Sequence, residues 1–162
     1  MATTNWAEFR AAEPAFATTV QDRFQAHRHH VLATLRKDGS PRVTVLEADF
    51  RFGELWLGMM WHSRKAHDLQ RDPRLTLQAN PGQTGETVTG DVRVSGRAVP
   101  QTDPAVLRRY AETVRPPEPF HLFRVDLTEV VHAYAQAPHF VVRVWRPGEG
   151  ARTVRRGSGA EG

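Results

Sequence analysis

The segment Leu55-Trp-Leu-Gly-Met-Met-Trp-His-Ser-Arg-Lys-Ala-His-Asp-Leu-Gln-Arg71 is where the chain says most about its architecture. Leu55, Leu57 and Met59 alternate with Trp56, Gly58 and Met60, which predicts a strand with large apolar groups on both faces. A turn is expected at Trp61-His62. Ser63 then stands where a helix cap belongs, Ala66 and Leu69 share the face behind it, and Asp72-Pro73 ends the helix. Ser63, Arg64 and Lys65 therefore gather at a helix start, beside free backbone N–H groups and the positive end of the dipole. A phosphate binds readily in such a place. Solvated charges on a short helix are the competing reading.

Outward from this segment, composition sets bounds. A chain of 162 residues, 40% apolar, suits one domain with a real core. The absence of cysteine excludes disulfides, thiolate metal sites and cysteine nucleophiles. No apolar run is long enough for a membrane helix, and Met1–Arg10 lacks the basic start and apolar middle of a signal peptide, so a cytoplasmic location is expected. The net charge of +4 raises the question of nucleic acid. Yet the basic residues are interleaved with acids or sit in the tail at Arg152, Arg155 and Arg156, without a stripe or motif. A small anionic ligand is the better expectation.

In chain order, Asn5 and Glu8 have capping-box spacing. Pro14 suits a first helical turn, and Phe16, Val20 and Phe24 repeat at spacing four, predicting a helix to about Ala26. His27, His29 and His30 precede the first strand. Metal is disfavoured because no further ligand stands at suitable spacing and His29 and His30 point to opposite faces. Val31–Arg36 reads as a strand, Asp38-Gly39 as a tight hairpin, and Pro41–Asp49 as the return strand. Val43 and Val45 lie on one face of that strand; Arg42, Thr44 and Leu46 lie on the other. With the turn at Arg51–Glu54, three consecutive strands are expected to form a meander. Further strands are predicted over Arg74–Ala79, about Thr89–Val99 with a bulge at Gly96, Phe120–Tyr134 with a break near Thr128-Glu129, and Phe140–Trp145. Asn80–Thr87 reads as a polar, mobile loop, and Asp103 caps a helix over Pro104–Thr113. About seven strands and three helices indicate an antiparallel barrel, with a sandwich as the alternative. One domain over residues 1–148, with an N-terminal helix, and a flexible tail over 149–162 complete the expectation.

Four stretches, taken in order, resemble the pyridoxamine 5′-phosphate oxidase-like split-barrel superfamily. They are Leu32-Ala-Thr-Leu-Arg-Lys-Asp-Gly-Ser-Pro-Arg-Val43; Leu55-Trp-Leu-Gly58 with Ser63-Arg-Lys-Ala-His-Asp-Leu69; Asp91-Val-Arg-Val-Ser-Gly-Arg-Ala98; and Phe123-Arg-Val-Asp-Leu-Thr-Glu-Val-Val131 with Val144-Trp-Arg-Pro-Gly148. The resemblance implies a mainly β fold, a six-stranded antiparallel split barrel, that forms a homodimer with FMN or the deazaflavin F420 along the interface. It implies that Arg42 approaches the cofactor phosphate and that Ser63, Arg64 and Lys65 grip it. It also places Val43, Thr44 and Val45 beside the ring's amide edge and Gly58, Met59 and Met60 beneath the ring. Phe16, Trp56, Trp61 and Trp145 are more large apolar groups than a lone small barrel is expected to bury, which agrees with a dimer.

Flavin-binding members often carry Gln where this chain has Asp91, and an ionised carboxylate donates no hydrogen bond. The ending Trp145-Arg-Pro-Gly148 is more similar to the F420 reductases of the superfamily. The implied activity is hydride transfer to a small conjugated substrate, with the cofactor supplying the chemistry. No catalytic residue is assigned; His62, Trp61 and Tyr134 are the only side chains placed as proton donors would be, and each has a structural reading. The alternative is a flavin- or haem-binding split barrel without turnover, with His29, His30 or His139 as axial ligand.

Overall fold

A seventeen-residue strand, β7 (Phe120–Gln136), is the spine on which the sheet is built. The computed structural model describes residues 1–82 and 90–157. Along one edge β7 pairs with β6 (Asp91–Pro100). Along the other, residues 120–124 pair with β4 (Glu54–Met60) and residues 130–136 with β8 (His139–Arg146). The sheet therefore forks, and Thr4 fills the gap between the branches: its N–H and C=O pair with Leu127 O and N at 3.1 and 2.7 Å. That fork is the split of the barrel. Four further strands complete the path: β1 (His30–Leu35), β2 (Pro41–Leu46), β3 (Asp49–Arg51) and β5 (Arg74–Gln78). The order is β2-β1-β5-β6-β7-β4-β3, all antiparallel and not closed into a cylinder.

Local signals fold as the residues suggest. Helix α1 (Trp6–Ala12) begins with the Asn5/Glu8 capping box, and α2 (Pro14–Gln25) follows with Pro14 at its start. The Asp103 carboxylate accepts from Ala105 N at 2.9 Å and caps α4 (Pro104–Val114). Gly96 marks the bulge between β6 and β7: the register slips after Ser95, and a Cβ on Gly96 would meet Asp126 O at 2.3 Å. The core gathers Phe9, Phe16, Val20 and Phe24 from the two N-terminal helices against Leu55, Leu57, Val92, Val94, Leu127 and Trp145. Each such large side chain contributes about 1.5–3 kcal/mol on burial.

Several expectations need correction. The strand read as Pro41–Asp49 divides into β2 and β3, and the three-strand meander does not form. After the β1–β2 hairpin the chain crosses to the far end of the strand order, where β3 pairs with β4. There are nine strands and four helices among the described residues rather than about seven and three. β7 continues through Thr128-Glu129, because the slip opposite Ser95-Gly96 absorbs Thr128 as an extra residue. Part of the tail expected from residue 149 is strand: β9 (Gly150–Gly157) pairs with β8 along its whole length. Of the Asn80–Thr87 loop, residues 83–87 lie outside the described residues. Phe16, Trp56 and Trp145 are buried within the single chain, so they give no reason for a partner. Val43, Val45 and Met60 instead are 66%, 58% and 75% exposed.

Candidate functional site

Helix α3 (Arg64–Arg71) leaves β4 through a tight turn in which His62 has φ +59° and Ser63 N donates to Met60 O at 3.1 Å. Ser63 occupies the cap position with extended backbone, but its hydroxyl makes no capping bond. Ser63 Oγ is buried with no partner, and so is Thr44 Oγ1 on β2. Unpaired buried hydroxyls are uncommon and call for an explanation. Lys65 lies half-buried, its Nζ donating to Val45 O at 2.9 Å. Burial alone pulls its ammonium below the usual lysine range. Among the described residues neither Lys65 nor Arg64 is paired with a carboxylate. A partly desolvated cation, an unpartnered hydroxyl and an uncapped helix start together make a donor set that fits a phosphate.

Beside Lys65 opens a cleft of about 380 Å³, between β2, β4 and the C-terminal end of α4. Val45, Gly58, Met59, Met60 and Lys65 line it, whereas Arg42, Val43, Thr44, Ser63 and Arg64 do not. Met59 turns its side chain into the core, so it offers the cleft mainly backbone; Met60 is the exposed thioether. Val43 and Val45 project from the outer face of β2. Arg42 has another duty. Its Nε donates to Asp68 Oδ2 at 2.6 Å, and Asp68 also accepts from Thr34 Oγ1 at 2.9 Å and Arg71 at 3.0 Å. Arg42 thus pins α3 to β2 instead of reaching the cleft.

No motif announces the wall of the cleft that Tyr110 forms. Tyr110 of α4 donates its hydroxyl to Asp49 Oδ2 at 2.7 Å, and its ring lies over Gly58. Burial first, then the bond to Asp49, raises the phenol far above its usual range, so it stays protonated and is a fixed donor rather than a proton source. A Cβ on Gly58 would come within 2.7 Å of Tyr110 Oη and 3.4 Å of the ring. Gly58→Ala is expected to cost about 1–3 kcal/mol through overpacking. In a Tyr110→Phe background much of that cost should vanish, and urea titrations of the four proteins in this cycle measure the coupling. The helical spacing of Val106, Leu107 and Tyr110 signals an apolar face on α4; nothing in the sequence says where that face docks.

The histidines separate into distinct roles. His30 is buried against Phe24, and its Nδ1 accepts from Asn80 N at 3.0 Å. His29 lines the cleft, with Nε2 3.8 Å from Glu47. His139 starts β8, exposed. At the end of β4, His121 Nε2 accepts from His62 N at 3.2 Å, and its ring stacks on Trp61 at 4.3 Å, with His67 also nearby. Burial, then the proximity of His62 and His67, lowers the affinity of His121 for a proton; burial also lowers that of His30. Both groups bind protons more weakly in the fold than in the unfolded chain. Stability should therefore decline as pH falls through about 6.5, the ordinary histidine value, toward their folded-state values. Urea midpoints measured from pH 7.5 to 5 should show this, with a shallower decline in His121→Gln. Among the described residues no cluster is arranged to hold a metal ion, and no helix is long and apolar enough to cross a membrane.

An open, forked antiparallel barrel defines the class of fold, and comparison with known proteins agrees. The chain belongs to the pyridoxamine 5′-phosphate oxidase family, which matches over residues 16–133. No curated protein sequence matches it. Among solved structures it is similar to PhzG from Burkholderia lata 383, crystallised with tetrahydrophenazine-1-carboxylic acid. That likeness has a TM-score of 0.61 and 18% identity over 93% of this chain and 92% of that one. It is similar to the haem storage protein HutZ from Vibrio cholerae, with a TM-score of 0.50 and 18% identity over 68% and 88% of the two chains. A conserved hypothetical protein from Mycobacterium tuberculosis superposes with a TM-score of 0.52 and 25% identity over 67% and 78%.

Proposed function

We propose that this chain is an oxidoreductase that holds a phosphate-bearing flavin or deazaflavin, FMN or F420, in the cleft beside Lys65 and serves a small conjugated substrate. The observation that carries this reading is Lys65 itself, a half-buried cation with no carboxylate partner among the described residues, lining the cleft two residues after Ser63, whose hydroxyl has no partner. When bound, such a cofactor supplies hydride chemistry, and the protein's part is binding, orientation and exclusion of water. Lys65 holds the anionic end from the cleft wall, and the start of α3 with the Ser63 hydroxyl lies behind it as further donors that a small shift of the turn would present. Val45 and Gly58 line the cleft between the strands, and the Tyr110–Asp49 pair fixes the opposite wall. Pro116 and Pro117 stiffen the rim. No side chain is needed as catalyst, because a ring held against its substrate gains most of its rate from geometry.

Asp91 and the Trp145-Arg-Pro-Gly148 ending favour F420 over FMN, so reduced F420 is expected to bind more tightly. It should also be oxidised by an unsaturated ketone or a tetrapyrrole-like dye. Following that oxidation against a panel of acceptors, with reduced FMN in parallel, tests the reading; acceptor reduction by FMN alone reverses the cofactor choice. A homodimer is part of the proposal, and it rests on Val43, Val45 and Met60, which no part of this chain covers among the described residues. A monomeric mass by light scattering at micromolar protein would count against it. One observation favours a second reading, haem binding without turnover: His29 lines the same cleft. A Soret band in the absorption spectrum of the purified protein separates the two.

A further inference from the structure

A second cavity, of about 590 Å³, lies on the other side of Phe120, between α4, the Glu118–Phe120 segment and Trp61. Its size is within the range of small-molecule sites. Trp61 is 48% exposed, while Trp6, Trp56 and Trp145 are all buried. The indole is nonetheless held in place: His121 stacks on one face at 4.3 Å and 13°, and His62 meets it at 5.0 Å and 62°. Trp61 lines the cavity, and its exposed surface is open to a ligand there. Leu107, Ala111, Pro119 and Phe120 supply the remaining apolar lining, and three charges surround it, Arg108 and the two carboxylates Glu112 and Glu118. None of the three is in an ion pair among the described residues. A rigid indole beside a carboxylate excess is the arrangement that recognises flat cations, since the negative face of the ring and the carboxylates act together.

The geometry points to this cavity as a binding site for a planar, heteroaromatic monocation stacked on Trp61 and flanked by Glu112 and Glu118. Its place across Phe120 from the Lys65 cleft makes the occupant the substrate, and only that last step rests on the cofactor reading above. The test uses two probes of equal ring size and opposite charge, 9-aminoacridine and acridine-9-carboxylate, followed by probe anisotropy and by calorimetry. 9-Aminoacridine is expected to bind saturably and several-fold more tightly than the carboxylate. It should also quench tryptophan emission, and the part of that quenching owed to contact with Trp61, the one exposed indole among the four, should be missing in Trp61→Ala. Trp61→Ala should weaken binding by about tenfold or more, the scale of a desolvated cation–π contact. Glu112→Gln with Glu118→Gln should remove most of the preference for the cation while the ring still binds.

Undiminished binding to Trp61→Ala, or binding that never saturates, would overturn the site. Preference for the carboxylate would overturn the cation and move recognition to Arg108. Displacement of the acridine by FMN, or its loss in Lys65→Ala, would place it in the other cleft and overturn the proposal. Acridine binding with neither FMN nor F420 bound would leave this site standing and remove the cofactor reading.

Discussion

Replacing Asp68 with alanine is expected to lower folding stability by about 3–5 kcal/mol, the usual cost of removing one member of a buried ion pair. Asp68 is almost wholly buried and holds three groups: Thr34 on β1, Arg42 on β2 and Arg71 in its own helix. Burial acts to raise its pKa, but the bonds from Arg42, Arg71 and Thr34 outweigh it and keep the carboxyl below its ordinary value. Removal leaves the largely buried Arg42 guanidinium without its counter-charge, and this is where most of the cost arises. Arg71 is more exposed and recovers water, so Arg71→Ala should cost about 1 kcal/mol or less. Urea unfolding followed by circular dichroism measures both. A loss below 1 kcal/mol for Asp68→Ala would show that the network does not anchor α3. Because the folded-state pKa is depressed, this contribution is complete above about pH 3.9 and is lost as pH falls through the lower folded value.

Lys65→Ala should weaken cofactor binding by about 1.5–3 kcal/mol, the range for a hydrogen bond to a charged group. In affinity this is roughly tenfold to 150-fold. The fold should barely change, since the ammonium is half exposed and makes a single bond, to Val45 O. Lys65→Arg should keep the charge but not the geometry, giving an intermediate loss. The same variants should leave the urea midpoint near wild type, which separates loss of the anchor from loss of the fold. Equal affinity of wild type and Lys65→Ala for both FMN and F420 would end the assignment of the phosphate end to α3.

What could be read in the residues divides by distance along the chain. The Asn5/Glu8 box, the Asp103 cap, the Asp38-Gly39 hairpin and the Gly96 bulge each depend on groups a few positions apart, and each forms. The α3 corner was legible for the same reason: cap, basic pair and apolar face fall within nine residues, Ser63 to Arg71. Pairings set by distant contacts were not. Nothing near Leu46 says that the next strand will join the opposite end of the sheet, because that depends on which apolar faces meet. Arg42 shows what a strand position alone leaves unsaid about a basic residue's partner. A basic residue on a strand suggests an anion, but Asp68, on the inner face of α3, claims it first. Nor does the sequence around Gly58 show that a Cβ there would meet Tyr110, brought from α4. β9 escaped notice because its pairing with β8 uses backbone groups and needs little apolar patterning; all of its residues but Ala151 are exposed.

The central claim, that the cleft beside Lys65 holds a phosphate-bearing flavin or deazaflavin, meets its most direct test in calorimetric titration of FMN and F420 into the cofactor-free protein. Saturable binding of at least one, one molecule per chain and weakened by Lys65→Ala, is the predicted result. Binding of neither, with haem taken up in their place and a Soret band that depends on His29, would contradict it.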